Sequence, residues 1–178
     1  MSLSAWRIIR LLVVLGVGAS RSLASVVALP PDPPNLSGVY EDAGTIVSLP
    51  EGAEPLAVVS LHALLSLEFN PGLARLLQER TREVRVQHEG ETLAVEFLDK
   101  DGEKIWSPVW TRESGVTLRE RRLQLRLKPG KFGNDEYVLV FENITTHRLL
   151  QVHVQRLKPT FFGPVFQPMG TFLFHRLD

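Results

Sequence analysis

At 178 residues and 44% hydrophobic content, the chain is long enough for one domain with a sizeable core and too short for two once its first residues are set aside. Its 20 basic and 20 acidic side chains balance, which excludes bulk electrostatic attraction to nucleic acid. The absence of cysteine excludes disulfides and thiolate metal sites, and with them the lipidated cysteine of a bacterial lipoprotein.

The chain opens with Arg7 and Arg10, then an apolar run from Leu11 to Val17, then small residues that suit cleavage after Ala19 or Ala24. This is the layout of a secretory signal peptide. The run is interrupted by Arg10 and falls short of the roughly 20 apolar residues of a membrane-spanning helix; retention as an uncleaved anchor is the alternative. The expectation is an exported chain, periplasmic or secreted, with a signal peptide over 1–24, a Pro-rich tether over 25–35 and a single β-rich domain over 36–178. Removal of residues 1–24 takes away three arginines and no acid, leaving a formal charge of −3.

"LPPDPPN" (Leu29–Asn35) is extended, because proline fixes its own φ and biases its predecessor away from helix. "LSGVYEDAG" predicts a first strand and the stretch to Pro55 a loop. "PLAVVSLHALLSL" (Pro55–Leu67) suits a buried helix, with Ser60 able to cap a shorter one. Pro71–Thr81 predicts a second helix with Leu73, Leu76 and Leu77 on one face. From Arg82 the period changes to two and about eight antiparallel strands follow. Val84 and Val86, then Leu93, Val95 and Phe97, alternate with polar residues around the turns "HEGE" and "DKDG" and form a meander. In "EKIWSPVW", Ile105 and Val109 fall on one side and Trp106 and Trp110 on the other, with Pro108 marking an edge or bulge. "RRLQLRLK" sets Leu123, Leu125 and Leu127 against Arg122, Arg126 and Lys128. "EYVLVFEN" is apolar on both faces and predicts a central strand; "LLQVHVQRLK" and "GTFLFHRL" complete the set. The fold class is mainly β: a curled antiparallel sheet or up-and-down barrel, with one or two short helices near its N-terminal side and a sandwich or jelly roll as the alternative.

"DPPNLSGVYEDAG", the following "SLHALLSL", the meander and the closing "GTFLFHRLD" resemble an uncharacterised group of small bacterial envelope proteins, often lipoproteins with an "LSGxYxNxG"-like opening. The resemblance implies a cell-envelope location and no known activity. This chain departs from the group in having no cysteine to lipidate and in carrying Asp42 where the group tends to have a polar amide.

Catalytic signatures are missing: there is no G-x-S-x-G elbow, phosphate-cradling glycine loop or HExxH pair, and no catalytic, metal or cofactor residue is assigned. His62 reads as a core or interface histidine, and "DKDGE" (Asp99–Glu103) as a hairpin turn rather than a calcium loop. Tyr40, Glu41 and Asp42 could cluster at a barrel mouth. Two binding candidates remain. Arg122, Arg126 and Lys128 form either a solvated face or a patch for an anionic partner. "TFFGPVFQPMGTFLF" (Thr160–Phe174) holds five phenylalanines: Phe172 and Phe174 share one strand parity and fill the core, while Phe161, Phe162 and Phe166 lie in a Pro- and Gly-broken loop and are the candidate ligand or partner site. The function expected is a non-enzymatic interaction or apolar-ligand-binding module, its partner another envelope protein or a small apolar ligand, with peripheral membrane contact open and nucleic acid excluded. A hydrolytic enzyme without a recognisable motif is the alternative. A cavity lined by Val84, Val95, Phe97, Leu125 and Leu139 would favour the ligand; a solid interior with exposed loop aromatics would favour the protein partner.

Overall fold

The computed structural model describes residues 34–52, 59–120, 122–128 and 135–178. The leader, most of the tether, the first part of the anticipated Pro55–Leu67 helix and the turn before Glu136 lie outside the described residues. In chain order the elements are β1 (Gly38–Glu41), β2 (Ala43–Ser48), β3 (Val59–Ser60), α1 (Leu61–Leu65), α2 (Pro71–Arg80), β4 (Glu83–Glu89), β5 (Thr92–Leu98), β6 (Lys104–Trp106), β7 (Val109–Trp110), β8 (Val116–Arg119), β9 (Arg122–Leu127), β10 (Glu136–Ile144), β11 (Leu149–Thr160) and β12 (Gly163–His175).

The strands form two antiparallel sheets around one core. The first runs β1-β4-β5, with β6 and β7 sharing the far edge of β5; the second runs β3-β2-β12-β11-β10-β9-β8. Neither sheet closes on itself, so the mainly β fold takes the curled rather than the barrel form. The chain passes between the sheets at Asp42, the single bent residue between β1 and β2, and Tyr40 bridges back to Arg176 just beyond β12. Period-two alternation sends Val84, Val86, Leu93, Val95 and Phe97 of the first sheet inward to meet Leu123, Leu125, Leu139, Val152, Phe172 and Phe174 of the second. Burial of such side chains contributes about 1.5–3 kcal/mol each. β10 lies between β9 and β11 and buries Val138, Leu139, Val140 and Phe141 in succession, as a central strand should.

Several elements depart from their sequence expectation. The stretch after the first strand is not a loop but β2, which pairs with β12 at Thr171–Leu173. The first helix is the short form begun at Ser60, since Val59–Ser60 is a strand paired with Ala43–Gly44. α2 starts with Pro71 at its first position and Asn70 Oδ1 accepting the Leu73 amide at 2.9 Å, but Leu76 is exposed and only Leu77 is fully buried. The "EKIWSPVW" strand breaks at Ser107–Pro108, and the break shifts parity: Ile105 and Trp110 turn inward, Trp106 and Val109 outward. Trp110 stacks on Phe69, centroids 6.2 Å apart, which docks the turn between α1 and α2 on β7.

The Pro- and Gly-broken "loop" is instead the end of a long hairpin. β11 and β12 pair from Leu149↔His175 to Thr160↔Gly163 with Phe161 and Phe162 as the turn, and Gly163 supplies the positive φ of 112° that follows it. Proline is tolerated because, among the described residues, no third strand pairs with this part of the ribbon: β10 begins opposite Leu157 and β2 ends opposite Thr171. Pro168 sits at a register shift, opposite Gln155, while Val154 pairs with Gly170. Lys158–Val165 therefore projects from the sheet as an unsupported arm.

Candidate functional site

At the end of that arm, Phe161 and Phe162 are each 97% exposed, packed edge to face with ring centroids 5.4 Å apart. Val165 and Phe166 behind them are more than half exposed. Phe166 is thus a strand residue at the base of the arm, opposite Leu157, rather than a loop residue. Phe172 and Phe174 are 2% and 0% exposed and belong to the core. One fifteen-residue segment supplies both core closure and an exposed aromatic tip, because pairing with β2 begins only after Gly170.

The basic strand is charge-matched along much of its length. Arg122 meets Glu142 at 2.5 Å, and Arg126 Nε donates to Glu136 at 2.8 Å, both acids lying on the neighbouring β10. Lys128 is exposed at the strand end. Arg122 also borders a cleft of about 610 Å3 with Arg119, Gln124 and His153, on the face opposite the leucines. The five residues suggested as a cavity lining, Val84, Val95, Phe97, Leu125 and Leu139, are fully buried in the core cluster and line neither of the clefts described here.

Tyr40, Glu41 and Asp42 do not cluster. Strand alternation buries Tyr40 and Asp42 and leaves Glu41 outside. The Tyr40 hydroxyl donates to Leu36 O at 2.8 Å, and burial pushes its pKa up to about 12, partly offset by the Arg176 guanidinium. In the "DKDGE" turn, Asp99 Oδ1 accepts the amides of Asp101 and Glu103 at 3.0 Å each, while Oδ2 meets Arg80 at 2.9 Å. Those amides, the Asp101 one foremost, hold the Asp99 carboxyl below its ordinary value.

The polar centre of the fold lies elsewhere. Among the described residues, the buried polar or charged side chains are Asp42, His62, Ser66 and Thr81, and all four line one cleft of about 840 Å3 beside α1 and α2. Asp42 organises it. Its backbone N–H donates to Arg82 O at 3.0 Å, and its carbonyl accepts the Leu61 amide at 2.8 Å. Its Oδ1 accepts the His62 amide at 2.8 Å, and its Oδ2 stands 2.7 Å from His62 Nδ1. The first amides of α1 are therefore satisfied by Asp42, and Ser60, although at the N-cap, makes no capping bond. Its hydroxyl lies 3.4 Å from His62 Nε2. A carboxylate only accepts, so Nδ1 carries the proton and Nε2 presents its lone pair to Ser60. Thr81, 2% exposed, has a buried Oγ1 with no hydrogen-bond partner. Sequence reasoning reads Ser60 as a cap, His62 as a core or interface histidine and Asp42 as part of a cluster with Tyr40 and Glu41 at a barrel mouth. The available signal was parity, since Asp42 shares its side of the strand with the buried Tyr40. Its partner 20 residues away is set only by the packing of α1. No protein-family model matches the chain, and no curated protein matches it.

Proposed function

We propose that the protein is an exported envelope protein that acts as an interaction module, inserting the tip of the β11–β12 arm into an apolar groove of another envelope protein. The observation that carries this reading is the Phe161–Phe162 pair, 97% exposed at the end of a two-stranded arm. Two large aromatics held in water on an unsupported ribbon add nothing to the core, and such exposed apolar patches mark contact sites. Aromatic anchors that enter a pocket carry most of an interface's binding energy. The packed interior argues against a small apolar ligand held between the sheets. Charge argues against a bilayer as the acceptor: the arm carries only Lys158, and the chain without its leader is net acidic, whereas stable interfacial anchoring usually combines apolar insertion with a polybasic patch. Docking of this kind requires no chemistry.

A photo-crosslinking phenylalanine analogue placed at position 161 tests the reading in intact cells. A discrete protein adduct should form, fade when Phe162 is replaced by serine, and be absent when the analogue stands at the exposed Val47. Flotation with protein-free liposomes that depends on Phe161 would move the acceptor to lipid. Absence of both the adduct and flotation would overturn the docking role.

A further inference from the structure

We propose that Ser60, His62 and Asp42 form a nucleophile, base and orienting acid for hydrolysis of small acyl esters in the cleft between α1, α2 and the Asp42 bend. Three independent observations converge there. The buried Asp42 carboxylate fixes the His62 tautomer through a 2.7 Å bond, leaving Nε2 as the acceptor facing a serine hydroxyl at 3.4 Å. That is the division of roles in serine hydrolases, recognised by geometry rather than by sequence order, and nucleophile–base distances are commonly loose before substrate binds. Ser60 stands where a helix cap is expected and does not cap, because Asp42 already holds the Leu61 and His62 amides. The buried side chains of Asp42, His62, Ser66 and Thr81 all line this same cleft, and the buried Thr81 hydroxyl has no hydrogen-bond partner.

The cleft sets the substrate class. Ala63, Leu67, Phe69 and Ala74 give it an apolar lining suited to a short acyl chain. Ser60 Oγ attacks the ester carbonyl carbon while its proton passes to His62 Nε2. The carbon–alkoxide bond then breaks as Nε2 returns that proton to the leaving oxygen, giving the alcohol and an acyl-serine. Water, deprotonated by the same Nε2, attacks the acyl carbon; Ser60 leaves and recovers the proton, releasing the carboxylic acid. One ester and one water give one acid and one alcohol, with no other reactant.

The test uses the purified exported chain with a fluorophosphonate probe, which phosphonylates activated serines, and with p-nitrophenyl acetate and butyrate. Ser60 should be the labelled residue by peptide mass spectrometry, and the esters should turn over. Ser60→Ala should abolish labelling and lower hydrolysis at least about 100-fold at unchanged melting temperature. A fold-breaking outcome for His62→Ala would leave the inference testable, because labelling of the wild-type chain and its loss in Ser60→Ala do not depend on that variant. A wild-type chain that is neither labelled at Ser60 nor faster than Ser60→Ala overturns it. Phe162→Ser should be labelled like the wild type, so docking and hydrolysis fail or stand separately.

Discussion

Single side chains in this fold are governed by which way strand parity turns them. Leu125 and Arg126 are adjacent on β9, yet one is fully buried and the other exposed beside Glu136. Leu125→Asp should therefore cost about 3–5 kcal/mol, the penalty of an unpaired buried charge, and Arg126→Ser under about 1 kcal/mol, the value of an exposed ion pair. Chemical denaturation of both variants checks the order. Tyr40 follows the same parity and gives a pH dependence. Its folded pKa of about 12 lies above the ordinary 10, so the folded chain keeps a proton that the unfolded chain releases. Its contribution is whole below pH 10 and is lost as pH rises from 10 to about 12. Tyr40→Phe should flatten that part of the stability-versus-pH curve, measured by urea unfolding across the interval.

The β11–β12 hairpin is one element with two jobs divided by its neighbours. Where β10 and β2 flank it, Phe172 and Phe174 close the core; beyond Leu157 and Thr171 the ribbon has no further strand partner among the described residues. Phe174→Ala should cost about 3–5 kcal/mol and lower the melting temperature by about 10 °C. Phe161→Ala and Phe162→Ala should leave melting within about 1 °C, since rings already in water lose no burial on truncation. Calorimetry of the three variants decides between them, and a tip variant that melted like Phe174→Ala would mean that the arm folds back on the core. Gly44, on the neighbouring β2, packs against the core end of this hairpin: a Cβ there would sit 2.5 Å from the Phe174 ring, so Gly44→Ala should also destabilise.

At the scale of the whole domain, Asp42 is the joint. It stands where the chain leaves the first sheet for the second, holds Arg82 before β4 and holds the first two amides of α1. Asp42→Ala should leave the His62 amide and Nδ1 buried without partners and cost about 3–5 kcal/mol, with hydrogen exchange rising first in α1; exchange mass spectrometry would show whether α1 loosens before the sheets. The sequence by itself determined the β class, the meander, the central place of β10 and the sidedness of β9, because period-two alternation and turn residues are local and write their burial directly into the chain. It also separated the buried from the unassigned phenylalanines. Local pattern missed β2, whose pairing depends on β12 more than 120 residues later; it marked Pro108 as an edge or bulge but not the change of parity there, which only the register on β5 reveals. The Ser60–His62–Asp42 cluster was equally hidden: its residues carry no motif and become neighbours only when the bend at Asp42 receives the start of α1. Tertiary structure decided both candidate sites, because one exists where strand neighbours run out and the other where two segments meet, and neither condition is a property of any short stretch of chain.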